Sequence, residues 1–237
     1  MSTLYLIRHG QASAFKPVYD QLSEHGERQG AALGAWLVAR GVEPARVYVG
    51  PRARHAQTCA QVAAVYQGSG LPWPEPVALE GLDEYPLHQL LLEVVPRMAQ
   101  EDPEVARLGR AAQTGGRAGS KAFMTLLSDV GRRWLRGELD DAGYESWAGF
   151  VERLEGALEA MTADAGSGES VLAFTSAGTV AGMAGALMEA SPEKALELSW
   201  TMINASVSRV LYSGARRSLV SLNEAPFLEE RGWVTYR

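Results

Sequence analysis

Arg8, His9 and Gly10 directly follow the apolar run Tyr5-Leu6-Ile7, and these residue types in this order describe a phosphoryl site. Arginine offers a planar fork of donors to phosphoryl oxygens, and an unprotonated histidine nitrogen beside it can attack phosphorus. Three further segments carry polar groups of the right kinds: Gly50 to Thr58 with Arg52 and Arg54, then Leu82-Asp83-Glu84, then Thr175-Ser176-Ala177-Gly178. A carboxyl such as Glu84, or its rival Asp83, can protonate a departing oxygen and then activate water if its proton affinity is raised toward neutrality. The hydroxyl of Ser176 and the backbone N–H groups entering the next helix, Ala177 first, can donate to a phosphoryl oxygen. Gln11 and Asn204 are additional candidates for the pocket, a turn being the alternative role for Asn204.

The elements that must position these groups alternate between strand and helix. The opening strand ends at Arg8 and His9, and Gly10 permits a sharp exit, so both side chains fall at a strand's carboxyl end, where open α/β sheets bind ligands. Ser23 can cap a helix with Ala31, Leu33, Leu37 and Val38 on its apolar face, ending near Gly41. Arg46 to Val49 reads as a second strand and Ala53 to Tyr66 as a second helix. Val171 to Thr175 is another buried strand, followed by a helix over Gly178 to Met188. Ser206 to Tyr212 and Ser218 to Asn223 read as a hairpin turning at Ser213-Gly214. The pattern predicts an α/β fold, a three-layer α/β/α sandwich with a mostly parallel central sheet. Between Glu84 and Ser167 the patterns are helical, so residues 1–237 are read as one domain with 85–147 as an inserted helical cap. Gln113 to Ser120, rich in glycine and polar residues, is expected to be a mobile loop. It is no P-loop, since Ser120 intervenes between Gly119 and Lys121 and no strand precedes it.

Composition narrows the function classes. The 237 residues are 46% hydrophobic and 21% charged with a net charge of -6, as in a soluble globular protein, with no basic bias toward nucleic acid. Cys59 is the sole cysteine and is expected to be inert, so no disulfide framework is possible and a reducing compartment fits. The four histidines, His9, His25, His55 and His88, are dispersed, which gives no metal-ligand spacing. His25 and His55 are expected on exposed helix faces and Arg52 at the rim of the site. The arginines between Arg97 and Arg136 are read as a solvated helix face, with recognition of an anionic substrate tail the alternative. With a strand from about Thr3 there is no room for a leader, and no run of 18 apolar residues exists; a cytoplasmic protein without membrane partners is expected.

Taken together, the segments resemble the histidine phosphatase superfamily, also called the phosphoglycerate mutase-like family. Arg8-His9-Gly10 matches its signature, and Leu22-Ser23 with Gly26 and Gln29, Arg54 with Gln57-Thr58, and Leu82 with Glu84 match its further motifs. The resemblance covers essentially the whole chain outside the cap. It implies that His9 is the nucleophile, forming a phosphohistidine that water hydrolyses, that Arg8 and Arg54 hold the phosphoryl oxygens, and that Glu84 is the proton donor. It implies a small phosphorylated substrate and no cofactor or metal; a homodimer is the assembly considered. Two positions depart from the pattern. Ser176 stands where the family commonly has a second histidine, which suggests a subgroup, and Gly50 stands where it usually has serine. Loss of one hydrogen bond to a charged partner should slow turnover about ten- to a hundredfold. The expected activity is therefore a phosphomonoester phosphatase, slow for its kind. The alternatives are a phospho-ligand binding protein with impaired catalysis, a phosphoglycerate mutase, and an interaction module docking through the cap. A serine-nucleophile elbow is disfavoured, because Phe174 occupies its first glycine and no histidine follows.

Overall fold

Strand β1 (Ser2–Arg8) lies inside the sheet, with Leu4, Leu6 and Ile7 fully buried, because it is paired on both sides. The computed structural model describes residues 1–12, 20–114, 116–139, 143–163 and 166–236. On one side β1 runs parallel to β4 (Ser170–Thr175), whose apolar Val171 to Phe174 are buried as expected of a strand covered on both faces. On the other it pairs antiparallel with β5 (Val207–Ser213), which turns at Gly214, φ +57°, into β6 (Arg216–Glu224). β2 (Pro44–Val49) extends the sheet beside β4, and the two-residue β3 (Val77–Ala78), not anticipated from sequence, closes that edge. The order is β3-β2-β4-β1-β5-β6, with the first four strands parallel.

Register aligns the strand exits. Arg8 pairs with Thr175 and Val49 with Phe174, so β1, β2 and β4 end level. The amide of His9 then donates to the Thr175 carbonyl at 2.9 Å and that of Gly50 to the Phe174 carbonyl at 3.0 Å. Three polar segments distant in sequence are thereby brought to one edge of the sheet.

Helices α1 (Glu24–Ala39) and α2 (Ala53–Gly68) pack on one face, sharing a core of Leu33, Leu37, Val62 and Tyr66 with Ile7, Val47 and Phe174. Ser23 caps α1 by accepting from the Gly26 amide at 3.0 Å. Cys59 is buried in the same core, and burial pushes its thiol up to about 12, so it stays protonated and unreactive. Helix α7 (Ala177–Leu187) takes no part in that core; it packs against β1 and β6, with α8 (Pro192–Ser199) against it, so helices cover both faces of the sheet. A short α9 (Pro226–Glu229) packs with α1.

The chain divides into two compact units, residues 1–84 with 153–237, and Tyr85–Glu152. The second contains α3 (Leu87–Glu101), α4 (Pro103–Ala112), α5 (Gly116–Leu135) and the first turns of α6 (Trp147–Thr162), so its far boundary falls inside α6 rather than at residue 147. Buried Leu90, Leu91, Val94, Val105, Leu126 and Val130 form its interior. Trp134 stacks edge-on with Trp147 at 5.3 Å and donates its indole N–H to the Glu145 carbonyl at 2.7 Å. The expected mobile loop over residues 113–120 is corrected here: Gly116 opens α5, while Gly115 lies outside the described residues. The glycine serves close packing rather than mobility, since a Cβ on Gly119 would lie 3.1 Å from the Ala111 carbonyl oxygen at the end of α4. Several arginines of this unit are in exposed ion pairs, Arg107 with Glu104, Arg133 with Asp129 and Arg136 with Glu138. Among the described residues no helix is long and apolar enough to cross a membrane.

Candidate active site

At the level ends of β1, β2 and β4 sit His9, Arg8, Arg54, His55 and Ser176, each at most 7% exposed. His9 Nδ1 lies 2.6 Å from the carbonyl oxygen of Gly10. A carbonyl only accepts, so the ring hydrogen is on Nδ1 and Nε2 carries a lone pair. Burial lowers the His9 pKa well below its ordinary value, helped by the charges of Arg54 and then Arg8 and by His55, with the Gly10 carbonyl acting in the opposite sense. The ring is therefore neutral at pH 7, the state in which a nitrogen can attack phosphorus.

The turn after His9 depends on two glycines meeting back to back. A Cβ on Gly10 would lie 2.5 Å from the carbonyl oxygen of Gly26, and one on Gly26 would strike the backbone of Gln11. Gln11 itself is bound into this turn: its amide donates to Gln29 Oε1 at 2.8 Å, and its side-chain oxygen accepts from Ser23 Oγ at 2.9 Å. Thr58 Oγ1 accepts from the Gly10 amide at 3.0 Å and donates to the Arg54 carbonyl at 2.7 Å, joining the first two motifs. Gln57 accepts from the Leu22 amide at 2.8 Å. The polar residues of the second motif thus hold backbone in place as much as they offer side chains to a ligand.

Arg54 donates to Ser176 Oγ at 3.2 Å and to Asp20 Oδ1 at 2.8 Å, and the other Asp20 oxygen accepts from the Ala53 amide at the start of α2. Arg8 lies beside His9, but its guanidinium also donates to the Met202 carbonyl and, at 3.0 Å, to that of Tyr236. Asn204 makes its contacts with backbone and the C-terminal segment: Nδ2 donates to the His9 carbonyl at 3.4 Å, and Oδ1 accepts from Thr235 Oγ1 at 3.0 Å. The neighbouring Ala205 amide also donates to the His9 carbonyl, at 3.0 Å.

The acidic segment is anchored to β4 and α7. Thr175 Oγ1 donates to the Leu82 carbonyl and Thr179 Oγ1 to the Asp83 carbonyl, both at 2.6 Å, while Arg153 donates to the carbonyls of Gly81 and Asp83. These bonds place Glu84 Oε2 3.3 Å from the Gly178 amide in the first turn of α7. Ala177 opens that helix and is 8% exposed. Asp83 is engaged elsewhere, in a bidentate pair with Arg52 at 2.5 and 3.3 Å. Of the two adjacent acids, only Glu84 meets the α7 N-terminus through its carboxylate in these bonds.

One expectation, the exposure of His55, is corrected at this point. Ser176 occupies the N-cap position of α7, yet its hydroxyl makes no capping bond; it meets Arg54 and His55 instead. His55, expected on an exposed face, is 0% exposed, with Nε2 2.6 Å from Ser176 Oγ and its ring 5.8 Å from that of His9. The sequence signal was present. His55 precedes Cys59, Val62 and Tyr66 by four, seven and eleven residues, the spacing of one buried helix stripe. Burial lowers the His55 pKa well below its ordinary value, reinforced by Arg54 and Arg52 and opposed by the Gly50 carbonyl. His25 is half-buried in α1, its Nε2 3.1 Å from the Trp233 carbonyl oxygen.

Solved structures share this architecture at low identity. A phosphoglycerate mutase from Bacillus anthracis superposes with a TM-score of 0.65 at 16% identity, covering 97% of this chain and 96% of its own. A phosphoserine phosphatase from Entamoeba histolytica, solved with 3-phosphoglyceric acid, gives 0.63 at 18%, covering 96% and 100%. A mycobacterial glucosyl-3-phosphoglycerate phosphatase gives 0.58 at 18%, covering 94% and 99%. Among curated proteins no relative is matched by sequence. The family model for branch 1 of the histidine phosphatases matches residues 4–118 and 120–225, a span that includes every strand except the first two residues of β1, and on that match the chain belongs to the histidine phosphatase superfamily (branch 1).

Proposed function

We propose that this chain is a phosphomonoester phosphatase that works through a phosphohistidine on His9. The observation that carries this reading is the bond between His9 Nδ1 and the Gly10 carbonyl, because it leaves Nε2 as the nucleophile. In the first step Nε2 attacks phosphorus; the N–P bond forms as the ester P–O bond breaks, and the departing oxygen takes a proton from Glu84. In the second, Glu84 removes a proton from water, the water oxygen attacks phosphorus, and the N–P bond breaks to release inorganic phosphate. Both residues return to their starting states. Arg54 and Arg8 offset the negative charge that would otherwise repel the nucleophile, with Ser176 and the Ala177 amide as further donors. Ser176, in the place where the resemblance puts a second histidine, supports a serine-bearing subgroup. The substrate is a small phosphorylated metabolite, and the reducing environment compatible with a single buried thiol fits a cytoplasmic enzyme.

The likeness to a phosphoglycerate mutase favours a second reading, transfer of the phosphoryl group back to product instead of to water. One set of assays separates the readings. Wild type should hydrolyse p-nitrophenyl phosphate, His9→Ala should not, and rapid acid-free quenching with radiolabelled ester should trap an acid-labile adduct on His9. Interconversion of phosphoglycerates faster than their hydrolysis would establish the mutase reading. Tight orthovanadate binding with no turnover between about pH 5 and 8 would leave a binding protein.

A further inference from the structure

Gly50, His55 and Ser176 meet at one point of the site. A Cβ on Gly50 would lie 2.5 Å from His55 Nδ1 and 3.0 Å from Cε1, so the ring occupies space that only glycine leaves open. From there His55 reaches Ser176 Oγ with Nε2 at 2.6 Å, and Arg54 donates to the same oxygen at 3.2 Å. A serine hydroxyl has one hydrogen and two acceptor sites. Arg54 can only donate, so the placement of a single ring hydrogen on His55 decides where the serine hydrogen goes. With that hydrogen on Nε2, both acceptor sites of Ser176 are filled and its O–H is available to a third group. With it on Nδ1, the serine hydrogen is spent on His55, and the buried ring N–H is left to the Gly50 carbonyl, which lies near enough to raise the ring's proton affinity but makes no hydrogen bond of acceptable geometry with Nδ1. Leaving a buried donor unmade is costly, which favours the hydrogen on Nε2.

We propose that His55 is a positioning residue for phosphoryl transfer: its Nε2–H donates to Ser176 Oγ, so that the serine hydrogen is presented to a phosphoryl oxygen bound by Arg54, and Gly50 is the residue that admits the ring. Ser176 with His55 behind it does the work of one longer donor. The first half of α2 therefore supplies two groups to the anion, Arg54 directly and His55 through the serine. The proposal rests on the phosphatase reading above.

The test compares wild type with His55→Leu, Ser176→Ala, the double variant and His55→Gln, whose amide keeps a donor near the Nε2 position. Turnover of p-nitrophenyl phosphate, orthovanadate affinity and thermal melting are measured on each. His55→Leu and Ser176→Ala should each lose about ten- to a hundredfold in kcat/KM, the double variant should lose no more than the worse single, and His55→Gln should recover most of the loss. In ¹⁵N spectra of the wild type, the His55 ring hydrogen should be on Nε2. Wild-type turnover by a folded His55→Leu variant, losses that multiply in the double variant, or a ring hydrogen on Nδ1 would each overturn the proposal. If wild type binds orthovanadate but does not turn over, and His55→Leu weakens that binding, the phosphatase reading fails while the positioning role stands.

Discussion

Acidification should destabilise this protein, because His9 and His55 are both held neutral by burial beside arginines. Their folded pKa values lie well below 6.5, whereas in the unfolded chain each titrates near about 6.5. Below that pH the unfolded state binds protons that the folded state refuses, so stability is constant above pH 6.5 and falls as pH drops through the window beneath it. Each ring contributes a slope of at most about 1.4 kcal/mol per pH unit, so the loss by pH 5 is bounded at about 2 kcal/mol per ring and about 4 kcal/mol for the pair. That is a large part of the 5–15 kcal/mol by which domains are commonly stable. The assay is urea unfolding in phosphate-free buffer from pH 7.5 to 5, followed by tryptophan fluorescence; stopping at pH 5 keeps most carboxylates ionised. His55→Gln should reduce the loss by about half. A midpoint unchanged between pH 7.5 and 5 would refute the burial of both neutral rings.

Other perturbations probe separate links. Glu84→Gln should lower turnover about a hundredfold or more, the usual contribution of a general acid, and Asp83→Asn much less, since the Asp83 carboxylate is paired with Arg52; steady-state kinetics on p-nitrophenyl phosphate decide. Thr58→Val should cost about 1–3 kcal/mol in urea unfolding, because it keeps the side chain's shape but removes the acceptor of the Gly10 amide in the interior. Gly26→Ala should cost about 1–3 kcal/mol and lower turnover, as its Cβ meets backbone of the turn that carries His9; thermal melting with a kinetic assay reads both.

The parts of this molecule that were legible in sequence share a cause: local pattern and local need agree. Val171 to Phe174 read as a covered strand because pairing on both sides demands an unbroken apolar run, and Ser23 announced a helix start because the Gly26 amide needs an acceptor. β3 escaped notice because two residues carry no periodicity, and the α4–α5 corner was misread because glycine serves close packing as readily as mobility. Within the site, Arg8-His9 and Arg54 were legible because each stands in a motif beside a strand exit. The roles of Asn204 and Gln11 were not, since their partners are backbone groups and residues far along the chain.

His55 is the instructive failure. A histidine between Arg54 and Ala56 looks like part of a polar surface when its neighbours in sequence are weighed, and like part of the core when the stripe through Cys59, Val62 and Tyr66 is followed. Periodicity favoured the core, and composition outweighed it. Sequence order does not constrain which side chains meet at the level ends of three parallel strands. The register that sets Val49 opposite Phe174 and Arg8 opposite Thr175 brings the α2 N-terminus to Ser176 across 121 positions of sequence. Gly50 and Ser176, which read separately as two losses, become one arrangement once the ring between them is placed: the glycine makes the space, the histidine fills it, and the serine carries its hydrogen bond into the site.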